Sequence, residues 1–168
     1  MKILKKMDEL LMLILKWFII TLCVGIALIL LVRVIVRFTP ITLQMSWSDE
    51  VVEWMMAWMI FTAATIIMRN GEHFRVDLLQ TKLEGKTAGY ILSMAISLLG
   101  ILFFVTLLYY SILLVKSAEW FSPILKVSTR VPYMSIPVNC FLIVLYLIRD
   151  FIKEALQLRD KRRAKLAG

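Results

Sequence analysis

The sequence is poor in the residues that build catalytic and metal sites. Its 168 residues include two cysteines and one histidine. Cys23 and Cys140 both fall inside apolar runs and read as free buried thiols, which excludes a disulfide-stapled domain and a paired-cysteine redox centre. His73 stands alone, without the further histidines, cysteines or clustered carboxylates that hold a metal, so no metal or cofactor is expected. No glycine-rich phosphate loop and no nucleophile–base pair can be found, which leaves catalysis without a candidate. Charge is scarce too: 19% of residues are charged and 61% are apolar, where soluble domains run at about 45–50% apolar. A mean hydropathy of +0.83 excludes both disorder and an ordinary soluble domain.

What the chain has instead is four long apolar runs: Leu10 to Val32, broken by Lys16; Val51 to Met68; Ala88 to Val115, with no charge; and Val131 to Ile148. Each suits a helix of about 20 residues crossing a hydrocarbon core. A chain in lipid must satisfy its own backbone, and the alternation of barrel strands is absent. The fold class expected is an all-α integral membrane protein, a single four-helix domain over 1–168. Spans are predicted over about 10–37, 48–69, 87–116 and 131–157, with a basic tail over about 158–168. The links are short, so successive helices are expected to be antiparallel neighbours.

The net charge of +8 then reads as topology. Lys2, Lys5, Lys6 and Lys16, the link residues Arg69, Arg75, Lys82 and Lys86, and a tail carrying Arg149, Lys153, Arg159, Lys161, Arg162, Arg163 and Lys165 all fall on one side. The opposite side has only Arg33, Arg37, Lys116, Lys126 and Arg130. The positive-inside rule therefore places both termini in the cytoplasm of a multi-pass protein. The basic surplus favours anionic membrane lipid as a partner, and nucleic acid is not expected. The first run is too long for a signal peptide and is followed by Arg33 and Arg37, so cleavage is not expected.

The segment from Ser46 to Trp54 departs most from plain lipid-soluble helix. Ser46 followed by Asp49 has the spacing of a capping box, and acids suit a first helical turn. Trp47, Trp54 and Trp58 suit an interfacial aromatic belt. Glu53 lies a turn deeper and calls for a partner. Arg33 and Arg37 share a face near the end of the first helix, at the depth of Asp49, Glu50 and Glu53. Arg33, Arg37, Trp47, Asp49, Glu50, Glu53, Trp54 and Trp58 together read as a packing or docking lock, with a carboxylate left for another subunit.

Between the second and third spans, Asn70-Gly71 reads as a helix stop. The stretch of about 72–84 has the pattern of a short amphipathic interfacial helix. His73 fits a loop-holding hydrogen bond. In the fourth span Pro132 suits a first turn, whereas Pro137 is expected to kink the helix or free a carbonyl, which a Ser or Thr would take. Gly89, Ser93 and Ser97 form a small-residue seam on the third helix. No span carries a charge at its centre, unlike the usual secondary transporter. The four helices are expected to form a tilted, partly open layer with an apolar face kept for a partner.

Taken in order, these features resemble the small membrane subunit, DctQ or Q, of tripartite ATP-independent periplasmic (TRAP) transporters, over essentially the whole chain. The resemblance rests on Arg33 and Arg37, on Trp47-Ser48-Asp49-Glu50, and on Gly71-Glu72-His73-Phe74-Arg75-Val76-Asp77 against a G-x-H-x-x-V-D motif. Pro132 and Pro137 around Tyr133 complete it; Asn139 stands near a position where the family often has glycine. The resemblance makes Gly71, His73, Asp77, Pro132 and Pro137 loop-structural residues. It implies a bacterial inner-membrane scaffold in a sodium-driven importer of an organic acid, sialic acid or a C4-dicarboxylate, with a leaning to the sialic-acid branch. The partners implied are a large elevator-type membrane subunit, bound stably, and a periplasmic substrate-binding protein, bound transiently. The alternative is a self-sufficient homodimeric multidrug exporter, in which Glu53 would couple protons.

Overall fold

The computed structural model describes residues 2–39, 45–70 and 87–166. They form α1 (Lys2–Phe38), α2 (Trp47–Asn70), α3 (Thr87–Ser117), the short α4 (Arg130–Tyr133) and α5 (Ser135–Leu166), with no strand among them. Four of these helices are long and apolar enough to cross a membrane. The stretch expected as an interfacial helix, about 72–84, lies outside the described residues, as do Gly71, His73 and Asp77.

The helix ends follow from local chemistry. At the end of α1, Thr39 closes the last turn: its Oγ1 donates to the Ile35 carbonyl at 2.7 Å and its N–H to Val36 at 3.3 Å. Pro40 comes next in the sequence, and proline disfavours helix in the residue before it. At the start of α2 the expected Ser46–Asp49 capping box is not made. Ser48 turns back instead, donating Oγ to the Met45 carbonyl at 2.6 Å. Asp49 is drawn to an arginine of α1, and a carboxylate pairs with a guanidinium more strongly than it caps a turn.

The helices pack in line. α1 lies beside α2, α2 beside α5, and α5 beside α3; no contact joins α3 to α1 or α2 among the described residues. The expectation that successive helices are neighbours fails at one place: α5 inserts between α2 and α3. The reason lies in what each helix has to bury. The core is made by Phe104 of α3 with Cys140, Ile143, Val144, Tyr146 and Leu147 of α5, and Met68 of α2 joins it. α5 thus offers closely packing side chains to neighbours on both sides. Lipid is as apolar as these side chains, so van der Waals fit and the polar links of α5 to α2 and α3 set the order.

α1 is the outlier. Met12 is its one fully buried apolar side chain among the described residues. A stripe including Leu15, Ile19, Leu22, Ile26 and Ile29 is half-buried, and Leu10, Ile14, Trp17, Leu28 and Leu31 are open. It meets α2 at Gly25, where a β-carbon would come within 2.6 Å of the Met55 methyl. Phe18 also stands edge-on to Trp58, with ring centroids 6.0 Å apart. Such open apolar surface is tolerable only in lipid or against another protein.

Inside the layer the polar groups are paired. Thr65 Oγ1 donates to Asn139 Oδ1 at 2.9 Å, and Asn139 Nδ2 donates to the Ser135 carbonyl at 2.8 Å, with both side chains fully buried. This cross-link ties α2 to α5. Asn139 is therefore structural. Ser93 donates Oγ to the Glu154 carboxylate, and Ser97 Oγ lies 3.3 Å from its other oxygen. The seam read as small residues for close packing is thus also a two-hydroxyl clamp between α3 and α5.

Candidate functional site

The charged residues gather at the two ends of the helices, and each end is a built cluster. At the end bearing the chain termini, Asp8 of α1 accepts Arg69 Nε at 3.0 Å and Nη2 at 2.7 Å on one oxygen, and the Tyr146 hydroxyl at 2.9 Å on the other. Arg149 donates to the Arg69 carbonyl at 3.0 Å and lies 5.1 Å from the Tyr146 ring centre. Its Nε also pairs with Asp150 at 2.9 Å. Three helices that share no sequence neighbourhood meet at this point. The sequence reading missed it: Asp8 precedes the first apolar run, and Tyr146 sits inside the last one, where it passes for membrane filling.

At the opposite, distal end Arg33 pairs with Asp49 through both guanidinium nitrogens, the second contact being 3.1 Å from Nη2 to Oδ2. Arg37, one turn further on, is exposed and makes no ion pair among the described residues. The acids do not act as one group. Glu50 holds the loop between α3 and α4: it accepts the Ser122 hydroxyl and the N–H groups of Ile124 at 3.3 Å and Leu125 at 3.2 Å. That loop is a tight hairpin in which Ser122 N–H bonds the Val127 carbonyl at 2.9 Å, with Lys126 in the left-handed region at φ 53°. A carboxylate accepting from two loop N–H groups and a hydroxyl has most of its acceptor capacity taken, so Glu50 is engaged inside the chain.

The tryptophans divide as well. Trp47 is open at the surface. Trp58 donates Nε1 to the Val131 carbonyl at 3.2 Å and so anchors α2 to α4. Trp54 and Glu53 line an open cleft of about 310 Å³ between α2, the hairpin loop and the start of α5.

Of the two prolines near the start of the last span, Pro132 lines this cleft and Pro137 does not. Pro132 is buried in the first turn of α4. Pro137 lies within α5, but the helix is interrupted three residues earlier, at Met134. The ring of Pro137 and its missing N–H act on the carbonyl four residues back, at Tyr133, so the turn opens there. Ser135 Oγ donates to the Pro132 carbonyl at 2.7 Å, one residue before the carbonyl that Pro137 frees, so the expected serine or threonine partner is not found on the Tyr133 carbonyl among the described residues.

Across the middle of the layer the helices carry no charge. No charged residue stands between Lys16 and Arg33 on α1, Glu53 and Arg69 on α2, Thr87 and Lys116 on α3, or between Arg130 of α4 and Arg149 of α5. No group of three or more His, Cys, Asp or Glu is placed to hold a metal among the described residues. These features define a multi-pass membrane protein whose charged groups lie toward its two rims. Residues 26–157 match the family described as "Tripartite ATP-independent periplasmic transporters, DctQ component". The match covers well over half of the chain, and the chain belongs to that family, which supplies a transporter component and is not an enzyme family. No curated protein matches the chain.

Proposed function

We propose that this chain is the fixed small subunit of a sodium-driven, binding-protein-dependent importer of an organic acid, of the sialic-acid or C4-dicarboxylate kind. It braces a large elevator-type subunit against the bilayer. The chain sits in the bacterial inner membrane with both termini cytoplasmic, which makes the Arg33–Asp49 end periplasmic. The observation that carries this reading is the uncharged middle of the layer together with the largely open α1. A subunit that moves sodium and an acid needs ionisable or broken-helix sites near the midplane, whereas a brace needs locked ends and an apolar flank. Arg37 and Trp47, open at the distal end, supply a polar rim for the partner contact, and the basic surplus at the termini end suits anionic lipid.

The test is a gentle detergent extraction of the tagged chain from its native host, with co-purifying proteins identified by mass spectrometry. A stoichiometric partner of about a dozen spans is expected. Recovery of the chain alone as a homodimer, with drug efflux lost in Glu53→Gln, would replace this reading with the exporter.

A further inference from the structure

The distal cleft contains a carboxylate with no counterpart. Glu50, Glu53, Trp54, Ala57 and Phe61 recur at helical spacing and form one wall of the cleft from a single face of α2. Glu50, at the top, is held by the hairpin loop. Glu53, one turn below, makes no hydrogen bond or ion pair among the described residues. Beneath it come Trp54 and then Phe61, with Tyr133 and Ile136 lining the opposite side. Ala57, between the two aromatic rings in sequence, keeps the floor open. From rim to floor the cleft runs from acid, through aromatic, to apolar. It lies beside the first turns of α2, level with the Arg33–Asp49 pair, where helix gives way to loop.

We propose that this cleft binds an aminophospholipid, with the primary ammonium of an ethanolamine headgroup against Glu53 and Trp54 and the start of an acyl chain along Ala57, Phe61 and Ile136. An ionised carboxylate at the membrane boundary favours a cation, and an aromatic wall attracts the same charge. No basic side chain lines the cleft, so an anionic phosphatidylglycerol or cardiolipin headgroup would face two carboxylates and no cation. The apolar floor distinguishes a lipid from a soluble amine, which would leave that surface wet. A volume of about 310 Å³ holds a headgroup and the first methylenes, with the rest of the chains lying in the bilayer. This end of the molecule therefore selects by a different rule from the termini end, where the surplus is basic.

The test uses the full chain reconstituted in nanodiscs of equimolar phosphatidylethanolamine and phosphatidylglycerol. It is then transferred to mild detergent, and the retained lipids are counted by native mass spectrometry. Phosphatidylethanolamine is expected to be retained in preference, and Glu53→Gln to lower that retention about tenfold. Ala57→Leu, which fills the floor and leaves the charge alone, is expected to lower it comparably. Water-soluble glycerophosphoethanolamine is not expected to displace the lipid. Equal retention of the two lipids, or unchanged phosphatidylethanolamine in both variants, would overturn the proposal. Displacement by glycerophosphoethanolamine would also overturn it, assigning the cleft to a soluble amine.

Discussion

Asp8 and Arg69 are joined by two hydrogen bonds onto a single carboxylate oxygen, across 61 positions of sequence. A second ion pair, Arg33 with Asp49, joins the same two helices at their other end. Between these pairs α2 rises from Asp49 to Arg69, roughly 30 Å at 1.5 Å per residue, which is the thickness of a bilayer core. α1 takes five residues more to run between Asp8 and Arg33, a surplus of about 7 Å. An oblique crossing and the reach of the two arginines absorb it. The pairs therefore hold α1 on α2 at both ends, while the Gly25–Met55 approach and the Phe18–Trp58 contact lie between them.

Asp8→Asn is expected to lower the stability of the chain by about 1–2 kcal/mol, between the values for exposed and buried pairs. The cost should fall on α1 first. Thermal unfolding in detergent measures the loss, and a cycle with Arg69→Gln isolates the pair from the Tyr146 contact. A coupling near zero would show that Tyr146 alone positions Asp8.

At the distal end the two arginines are expected to separate. Arg33→Glu breaks the pair with Asp49, and adding Asp49→Arg should recover most of the lost stability by exchanging the charges. Arg37→Ala should leave the isolated chain within about 0.5 kcal/mol, as an exposed substitution does, while weakening recovery of the large subunit in pull-downs. Loss of stability in Arg37→Ala would mean that this arginine serves the fold.

Glu50 holds a loop that contains a trypsin site at Lys126. Glu50→Ala removes the acceptor of Ser122 Oγ, Ile124 N–H and Leu125 N–H, so the hairpin should open more often. Cleavage after Lys126 is expected to speed up about tenfold, since a local opening of about 1.4 kcal/mol lower cost is ten times more populated. The digestion is followed on the intact helices by mass, and an unchanged rate would place the loop's stability in its own backbone bonds.

The buried link between Thr65 and Asn139 makes a fourth case. Thr65→Val leaves Asn139 Oδ1 without its donor inside the layer, at an expected cost of about 1–2 kcal/mol. Replacing both, as Thr65→Val with Asn139→Leu, should cost less than the single change, because no polar atom is then stranded. Unfolding midpoints of the three variants decide it.

Much of the architecture is legible along the chain. Four apolar runs of membrane length can only be helices in lipid, and the uneven distribution of lysine and arginine orients them, because both properties depend on local composition. Helix ends are less legible: Ser46 and Asp49 have the spacing of a capping box, yet Asp49 is taken by Arg33 across the helix pair. The eight residues grouped as one lock also separate in space. Glu50 and Trp58 serve the loop and α4, Arg33 and Asp49 serve each other, and Glu53 and Trp54 open onto a cleft.

By itself, then, the sequence determined that there are four spans, which residues lie at their ends, and that nothing charged lies between. Those are consequences of transferring side chains one by one from water to hydrocarbon. Only the tertiary structure decided that α5 lies between α2 and α3, that Asp8 meets Arg69 and Tyr146, and that Glu50 is occupied while Glu53 is not. These depend on which apolar faces fit together and how far each side chain reaches, and such pairwise distances are not written in the order of residues.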